Sequence, residues 1–253
     1  MLHEKILEAA APYLKDKTIT DAVVGISLMG CCLNDSLVGV AYVMRDELPG
    51  GCSTFADLEK IIGKNALEVA REYTFGRDNI QRGMATAILT AAENELDIPD
   101  DTTGDSMGLD ITSADTVGMI GMIKPIAAYM KQKAGKLYVF DKGLEAGGET
   151  SLDLMAAQPE AIPECDILIV TGSSTINRTA EGLINMAKKA RQIIFVGSST
   201  PMFAAGWEQT PVNVLAGSFW KSEYKKEIFR AISLAGGTKN LGKYSVKKYL
   251  RLK

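Results

Sequence analysis

Asp166-Ile-Leu-Ile-Val-Thr-Gly-Ser-Ser-Thr-Ile-Asn177 sets an unbroken aliphatic run directly before a cluster of small and hydroxylated residues. A short apolar run bounded by turn residues predicts a strand buried on both faces, and the hydroxyl cluster predicts the loop carrying that strand into a helix. The pattern recurs at Ile193-Ile-Phe-Val-Gly-Ser-Ser-Thr-Pro-Met202. Working outward, strand-length runs at Thr116–Ile120, Leu137–Phe140 and Val212–Leu215 alternate with helical spacing at Ile126–Lys133, Ile176–Ala190 and Lys221–Leu234. Such alternation predicts βαβ units, hence a parallel sheet with helices on its faces: a Rossmann-like α/β domain.

The N-terminal part reads differently. Ile6, Leu7, Ala10 and Leu14 form the stripe of an amphipathic opening helix. The β-rich runs Thr20–Leu33 and Ser36–Met44, joined at Asn34-Asp35, predict a hairpin. After the Pro49-Gly50-Gly51 breaker, helical patterns cover Phe55–Ile62, Ala66–Glu72 and Asn79–Leu96. Ile98-Pro-Asp-Asp-Thr-Thr-Gly-Asp105 then breaks all periodicity. The expected division is a small α+β domain over residues 1–104 and the Rossmann-like domain over residues 105–253.

Composition narrows the function. The 253 residues carry a formal net charge of −3, so no global basic field favours nucleic acid. Lys239, Lys243, Lys247, Lys248, Arg251 and Lys253 near the C-terminus read as a solvated helix face. The apolar run Ala22–Asn34 is too short to cross a bilayer, and the first 17 residues read as a helix rather than a signal peptide, so a cytoplasmic protein without membrane contact is expected. Homo-oligomers are compatible with this reading. Cys31, Cys32, Cys52 and Cys165 have no regular spacing, which argues against a disulfide framework. The single histidine, His3, is expected on the surface of the first helix, leaving little for a Ser-His-Asp or Cys-His mechanism.

Ligands of open α/β sheets bind outside the carboxyl ends of the strands. Four positions there are candidates. Gly118 and Gly121 let the backbone approach a ligand at a helix start, though the full G-x-G-x-x-G pattern is absent. Asp141 lies 20 residues past Gly121, where an acid binds the ribose hydroxyls if an adenosine cofactor such as S-adenosylmethionine is used; a loop cap explains it equally. Thr171, Gly172, Ser173, Thr175 and Asn177 exceed what helix capping needs, and Ser198, Ser199, Thr200 and Pro201 form a second such loop. From the first domain, Arg77, Asn79 and Arg82 are candidate substrate contacts, with Asp78 or Asn79 as the cap of the long helix. Asp115, Asp141 and Glu208 remain equal candidates for a general acid or base, so no catalytic residue is assigned. The rival reading is a metal-binding protein or metallochaperone using Cys31, Cys32 and Cys52, although adjacent cysteines on one strand point to opposite faces. A nicotinamide-dependent oxidoreductase is a third, weaker reading by Rossmann analogy alone.

Taken in order, Arg77-Asp-Asn-Ile-Gln-Arg-Gly-Met-Ala-Thr-Ala87, Asp115-Thr-Val-Gly-Met-Ile-Gly121, Val139-Phe-Asp141 and the two hydroxyl-rich strand ends resemble a prokaryotic family of unknown function named for heavy-metal chelation. The resemblance spans nearly the whole chain. It implies an enolase-N-terminal-like domain followed by a Rossmann-like domain partly similar to methyltransferases, with the site at their interface. The activity it implies is condensation or hydrolysis in making flavin-, pterin- or siderophore-like chelators. With one histidine and scattered cysteines, making or modifying a chelator fits this chain better than being one.

Overall fold

The computed structural model describes residues 1–48, 50, 58–149 and 151–253. Its first half runs α1 (Leu2–Leu14), β1 (Ile19–Val24), β2 (Leu28–Leu33), β3 (Leu37–Tyr42), a 3-10 turn Arg45–Glu47, α2 (Leu58–Ile61), α3 (Ala66–Ala70), α4 (Glu72–Phe75) and α5 (Asn79–Ala92). The second half runs β4 (Thr116–Ile120), α6 (Lys124–Lys133), β5 (Lys136–Phe140), α7 (Lys142–Ala146), α8 (Gln158–Ala161), β6 (Ile167–Thr171), α9 (Ala180–Met186), β7 (Gln192–Val196), β8 (Val214–Trp220), α10 (Lys225–Ser233), α11 (Thr238–Leu241) and β9 (Ser245–Arg251).

All described strands join one sheet in the order β1-β2-β3-β8-β7-β6-β4-β5, with β9 paired to β8. Strands β4 to β8 pair in parallel with one another, as the alternation of strands and helices predicts. Strands β1, β2 and β3 form an antiparallel meander. The two parts meet on β8: its first residues pair in parallel with β7, and Trp220 at its end pairs antiparallel with Val38 of β3. One core cluster accordingly holds residues of both halves, from Ile6 and Ile88 to Phe195 and Trp207.

Local chemistry explains the meander. Asn34 and Asp35 both take positive φ, 49° and 56°, the signature of a type I′ hairpin turn that their short polar side chains tolerate. The run Thr20–Leu33, expected as one strand, is two, broken at Gly25-Ile26-Ser27. A Cβ on Gly25 would stand 2.2 Å from the Ile232 carbonyl oxygen, so α10 can cross the bend only over glycine.

Helix α5 is the pivot of the first half. The Asp78 carboxylate caps it by accepting from the amides of Ile80 and Gln81. Nearly every residue from Asn79 to Ala92 is buried, so the helix lies in the interior, with small and aliphatic residues against the sheet. Its small residues let the sheet come close: a Cβ on Gly39 of β3 would fall 2.0 Å from the Ala87 oxygen and 2.2 Å from the Ala91 nitrogen.

Several sequence expectations change. Of the basic tail, Lys239 lies on the short helix α11 and Lys243 on a 3-10 turn, but from Ser245 it is strand β9, not a helix; Lys247 Nζ donates to Ser218 Oγ at 2.8 Å and Lys248 Nζ pairs with Asp100 at 2.8 Å. Propensity alone could not find β9, because its pairing with β8 is what orders it. The polar stretch around residue 100 runs along that strand, with Asp101 N–H donating to Lys247 O at 2.8 Å. The helices expected to end at Leu96 and Ala190 stop at Ala92 and Met186. The helix expected from Phe55 begins on residues outside the described ones; its described part is α2. No helix among the described residues is long and apolar enough to cross a membrane.

Candidate functional site

Strand β4 has β5 on one side and β6 on the other, so the chain reverses direction across the sheet there, and the crevice beyond these strand ends is the expected ligand position. Gly121 closes β4 with φ 83°, its amide donating to Phe140 O at 2.7 Å. A Cβ on it would lie 2.8 Å from Thr171 Cγ2, so the ends of β4 and β6 touch only because this residue is glycine. Gly118 is not part of that loop. It is buried inside β4, where a Cβ would meet Cys165 Sγ at 2.8 Å, and its role there is packing.

Asp141 ties two loops together. Its Oδ2 accepts from Met122 N–H at 2.8 Å and its Oδ1 from Leu144 N–H at 3.0 Å, capping α7. Both oxygens are thus engaged by backbone, and ribose binding would have to share them.

The loops after β6 and β7 lie against each other: a Cβ on Gly172 would fall 2.4 Å from Thr200 N and 2.5 Å from Thr200 Oγ1. Within the first loop Thr171 and Ser173 share a hydroxyl hydrogen bond of 3.1 Å, and Thr175 Oγ1 donates to Gly172 O at 2.9 Å. Within the second, Ser199 Oγ accepts from Tyr42 N–H at 2.8 Å, which attaches the end of β3. Ser198 is half-buried. The Pro201 carbonyl accepts from Trp207 Nε1 at 2.8 Å. Among the described residues, the buried hydroxyls of Thr74 from α4 and of Ser174 and Thr200 from the two loops have no hydrogen-bond partner, and that of Tyr73 faces Thr175.

Arg82 reaches across from α5, donating through Nε to Ile176 O at 2.6 Å, through Nη1 to Gly76 O at 2.7 Å and through Nη2 to Asn79 Oδ1. Arg178, in the left-handed region at φ 64°, reaches back to the carbonyls of Thr74 and Gly76. These guanidiniums clamp backbone on both sides of the interface, so the ligand role expected of Arg82 competes with three protein acceptors. Arg77 is exposed. His3 is buried, not on the surface: Nε2–H donates to Thr175 O at 2.7 Å and the ring centroid lies 5.0 Å from that of Tyr73. Burial pulls its pKa below the ordinary value.

Two acids that the sequence did not single out occupy the interface. Glu47, on the 3-10 turn after β3, accepts from Asn79 Nδ2 at 3.2 Å on Oε2, and on Oε1 from Lys142 Nζ at 3.2 Å and Asn177 Nδ2 at 3.5 Å. Asn79 and Asn177 are therefore brought together, by a residue whose sequence surroundings resemble an ordinary charged turn. Glu93 is 1% exposed; its Oε1 accepts from Met202 N–H at 2.6 Å. Desolvation holds its carboxyl well above the usual carboxylate range, against the opposing pull of that amide.

Of the acid and base candidates, Asp115 is removed by position. It precedes β4, at the amino ends of the strands and away from the cleft, takes a bidentate contact from Arg191 at 2.6 and 3.0 Å, and is held down to about 2 by that guanidinium. Glu208 is exposed beyond the 3-10 turn Ala204–Trp207. Cys31 and Cys32 are fully buried and pack into different clusters, one on each face of the sheet. Burial pushes both thiols up, and that of Cys165 up to about 11, away from the thiolate a metal requires. Cys52 lies outside the described residues. Among the described residues no three histidine, cysteine or acidic side chains are grouped to hold a metal ion.

A family model described as "putative heavy-metal chelation" matches residues 105–251, and a second model with the same description matches residues 7–92. Two solved structures are similar over almost the whole chain, both of proteins of unknown function from the family matched at residues 105–251. The one from Pyrococcus horikoshii is 19% identical, with a TM-score of 0.81, covering 99% of this chain and 100% of its own. The one from Desulfitobacterium hafniense is 16% identical, with a TM-score of 0.76, covering 98% of each chain. At these identities the likeness is one of fold. No curated protein matches the chain.

Proposed function

Because the chain belongs to the family described as "putative heavy-metal chelation", we propose that it is a small-molecule-binding enzyme whose site is the cleft between the meander-and-helix half, residues 1–104, and the Rossmann-like half, residues 105–253. Its reaction class would be condensation or hydrolysis of a pterin-, flavin- or siderophore-like chelator. The observation that carries this reading is the convergence, at the carboxyl ends of the parallel strands, of Asn79, Asn177, Lys142 and Glu47 from four separate elements. Fixed polar groups around one point at a topological switch are the usual anatomy of a small-molecule site. The hydroxyls of Thr171, Ser173 and Ser199 line the adjoining strand ends.

The family description raises direct chelation, and the side chains do not suit it. The described thiols are split between faces and held protonated, and the acids near the cleft are already bonded to amides, lysine or backbone. Making or modifying a chelator fits this chain better than being one.

The test is thermal stability against S-adenosylmethionine, nicotinamide and flavin nucleotides, pterins and divalent metals, repeated with Asn177→Ala. A ligand at about a hundred times its dissociation constant adds roughly 2.7 kcal/mol, a rise of several degrees in Tm. An organic ligand whose stabilisation disappears in Asn177→Ala supports the cleft. Stabilisation by soft metals alone, unchanged in that variant, would overturn it.

A further inference from the structure

The Glu47 carboxylate is held as a bound ligand would be. Its three donors come from α5, α7 and the loop after β6, and none depends on Glu47 for its place: Asp78 caps α5 and Asp141 caps α7. The two amides are also oriented without it. Arg82 donates to Asn79 Oδ1, and Thr179 Oγ1 donates to Asn177 Oδ1 at 2.8 Å, so each Nδ2 can only point outward as a donor. Asn79 is itself buried, at 6% exposure, whereas the Lys142 side chain is 62% exposed, so the group of donors has one wet side. Donors fixed in advance cost a ligand little to engage.

We propose that Asn79, Asn177 and Lys142 form a monocarboxylate-binding subsite in which Glu47 stands in for the carboxylate of the small-molecule ligand, so that ligand binding and Glu47 docking exclude each other. The proposal rests on the cleft reading above and gives its substrate a chemical class. Two amides and one ammonium contact it with a single positive charge, matching one carboxylate, while nearby Arg82, which also feels the Glu47 charge, is spent on three protein acceptors. Asp46, whose Oδ2 lies 2.8 Å from where a Gly143 Cβ would be, and Asp141 beside Lys142 stand close by and disfavour a second negative charge. A ligand must displace Glu47, which lowers apparent affinity by the fraction of time Glu47 is docked.

Glu47→Ala should melt below the wild type and regain Tm as sodium acetate or propionate is added at constant ionic strength, by several degrees at about a hundred times the dissociation constant. The wild type should not respond over the same range, and Asn177→Ala added to Glu47→Ala should abolish the response. Should Glu47→Ala fail to fold, Glu47→Gln serves: its amide meets three donors badly, and acetate should stabilise it at higher concentration. An acetate effect no larger than that of chloride in these variants, an equal effect in the wild type, or an equal effect of inorganic phosphate would each overturn the proposal. Such a failure is distinguishable from failure of the cleft reading, because the ligand panel there is run on the wild type.

Discussion

Replacing Glu93 by glutamine should make the protein more resistant to rising pH, and the size of the effect follows from the position of the carboxyl. Glu93 is 1% exposed and spends Oε1 on the Met202 amide. Burial keeps it protonated well above the ordinary range, whereas a glutamate in the unfolded chain titrates near about 4.3. A folded-state pKa above the unfolded one means that the folded protein binds the extra proton. This contribution is complete below the unfolded value and is lost as pH rises toward the folded one. Within that window wild-type stability falls with rising pH, by at most about 1.4 kcal/mol per pH unit from this group. Glutamine keeps an oxygen for Met202 N–H and cannot ionise, so whatever fixed penalty its extra amide hydrogens carry is independent of pH. At about 2–4 °C per kcal/mol for a chain of this size, the difference in Tm, variant minus wild type, should grow by up to about 3–6 °C for each pH unit above the unfolded glutamate value. Calorimetric melts at three pH values and matched ionic strength measure it. A difference that stays flat would refute the claim that Glu93 is buried neutral at the interface.

Gly39→Ala forces a Cβ into the backbone of α5 and should cost about 1–3 kcal/mol or more, read as a lower urea midpoint with unchanged slope. Asp141→Ala frees two backbone amides and should cost about 0.5–2 kcal/mol; a larger loss confined to ligand binding would restore its ribose role. Asp115, held near 2 by Arg191, contributes stability above the unfolded carboxylate pKa that is lost as pH falls, so the Tm gap between wild type and Asp115→Asn should be full at pH 6 and close on acidification toward pH 2. Peptides containing Cys31, Cys32 and Cys165 should resist alkylation in the native protein, since all three thiols are buried; native labelling as fast as in urea would contradict their placement.

Much of the architecture was legible because period and punctuation are local signals. Four aliphatic residues from Ile167 to Val170 declare a doubly buried strand wherever they occur, and β4 runs from Thr116 to Ile120 as read. Asn34-Asp35 announces a turn through its own φ preferences, and Asp78-Asn79 an N-cap through their short polar side chains, of which the structure uses Asp78. Strand β9 carried no such signal: its lysine-rich sequence is ordered by β8 alongside it. The break at Gly25 likewise reflects a helix more than 200 residues away.

The candidate site divides along the same line. Hydroxyl-rich loops at the ends of β6 and β7, and Asn79 at the head of α5, could be found from sequence because strand ends and helix starts are local features that imply exposed donors. Which of them meet could not. Glu47 lies 32 residues from Asn79 and 130 from Asn177, His3 reaches Thr175 across 172, and Arg82 turns from a free cation into a clamp only where the Ile176 and Gly76 carbonyls await it. By itself the sequence determined the fold class, the strand ends and the kinds of polar group they carry, since these depend on neighbours along the chain. The tertiary structure alone decided which groups are buried, which are already satisfied and which surround one point, since desolvation and hydrogen bonding depend on neighbours in space.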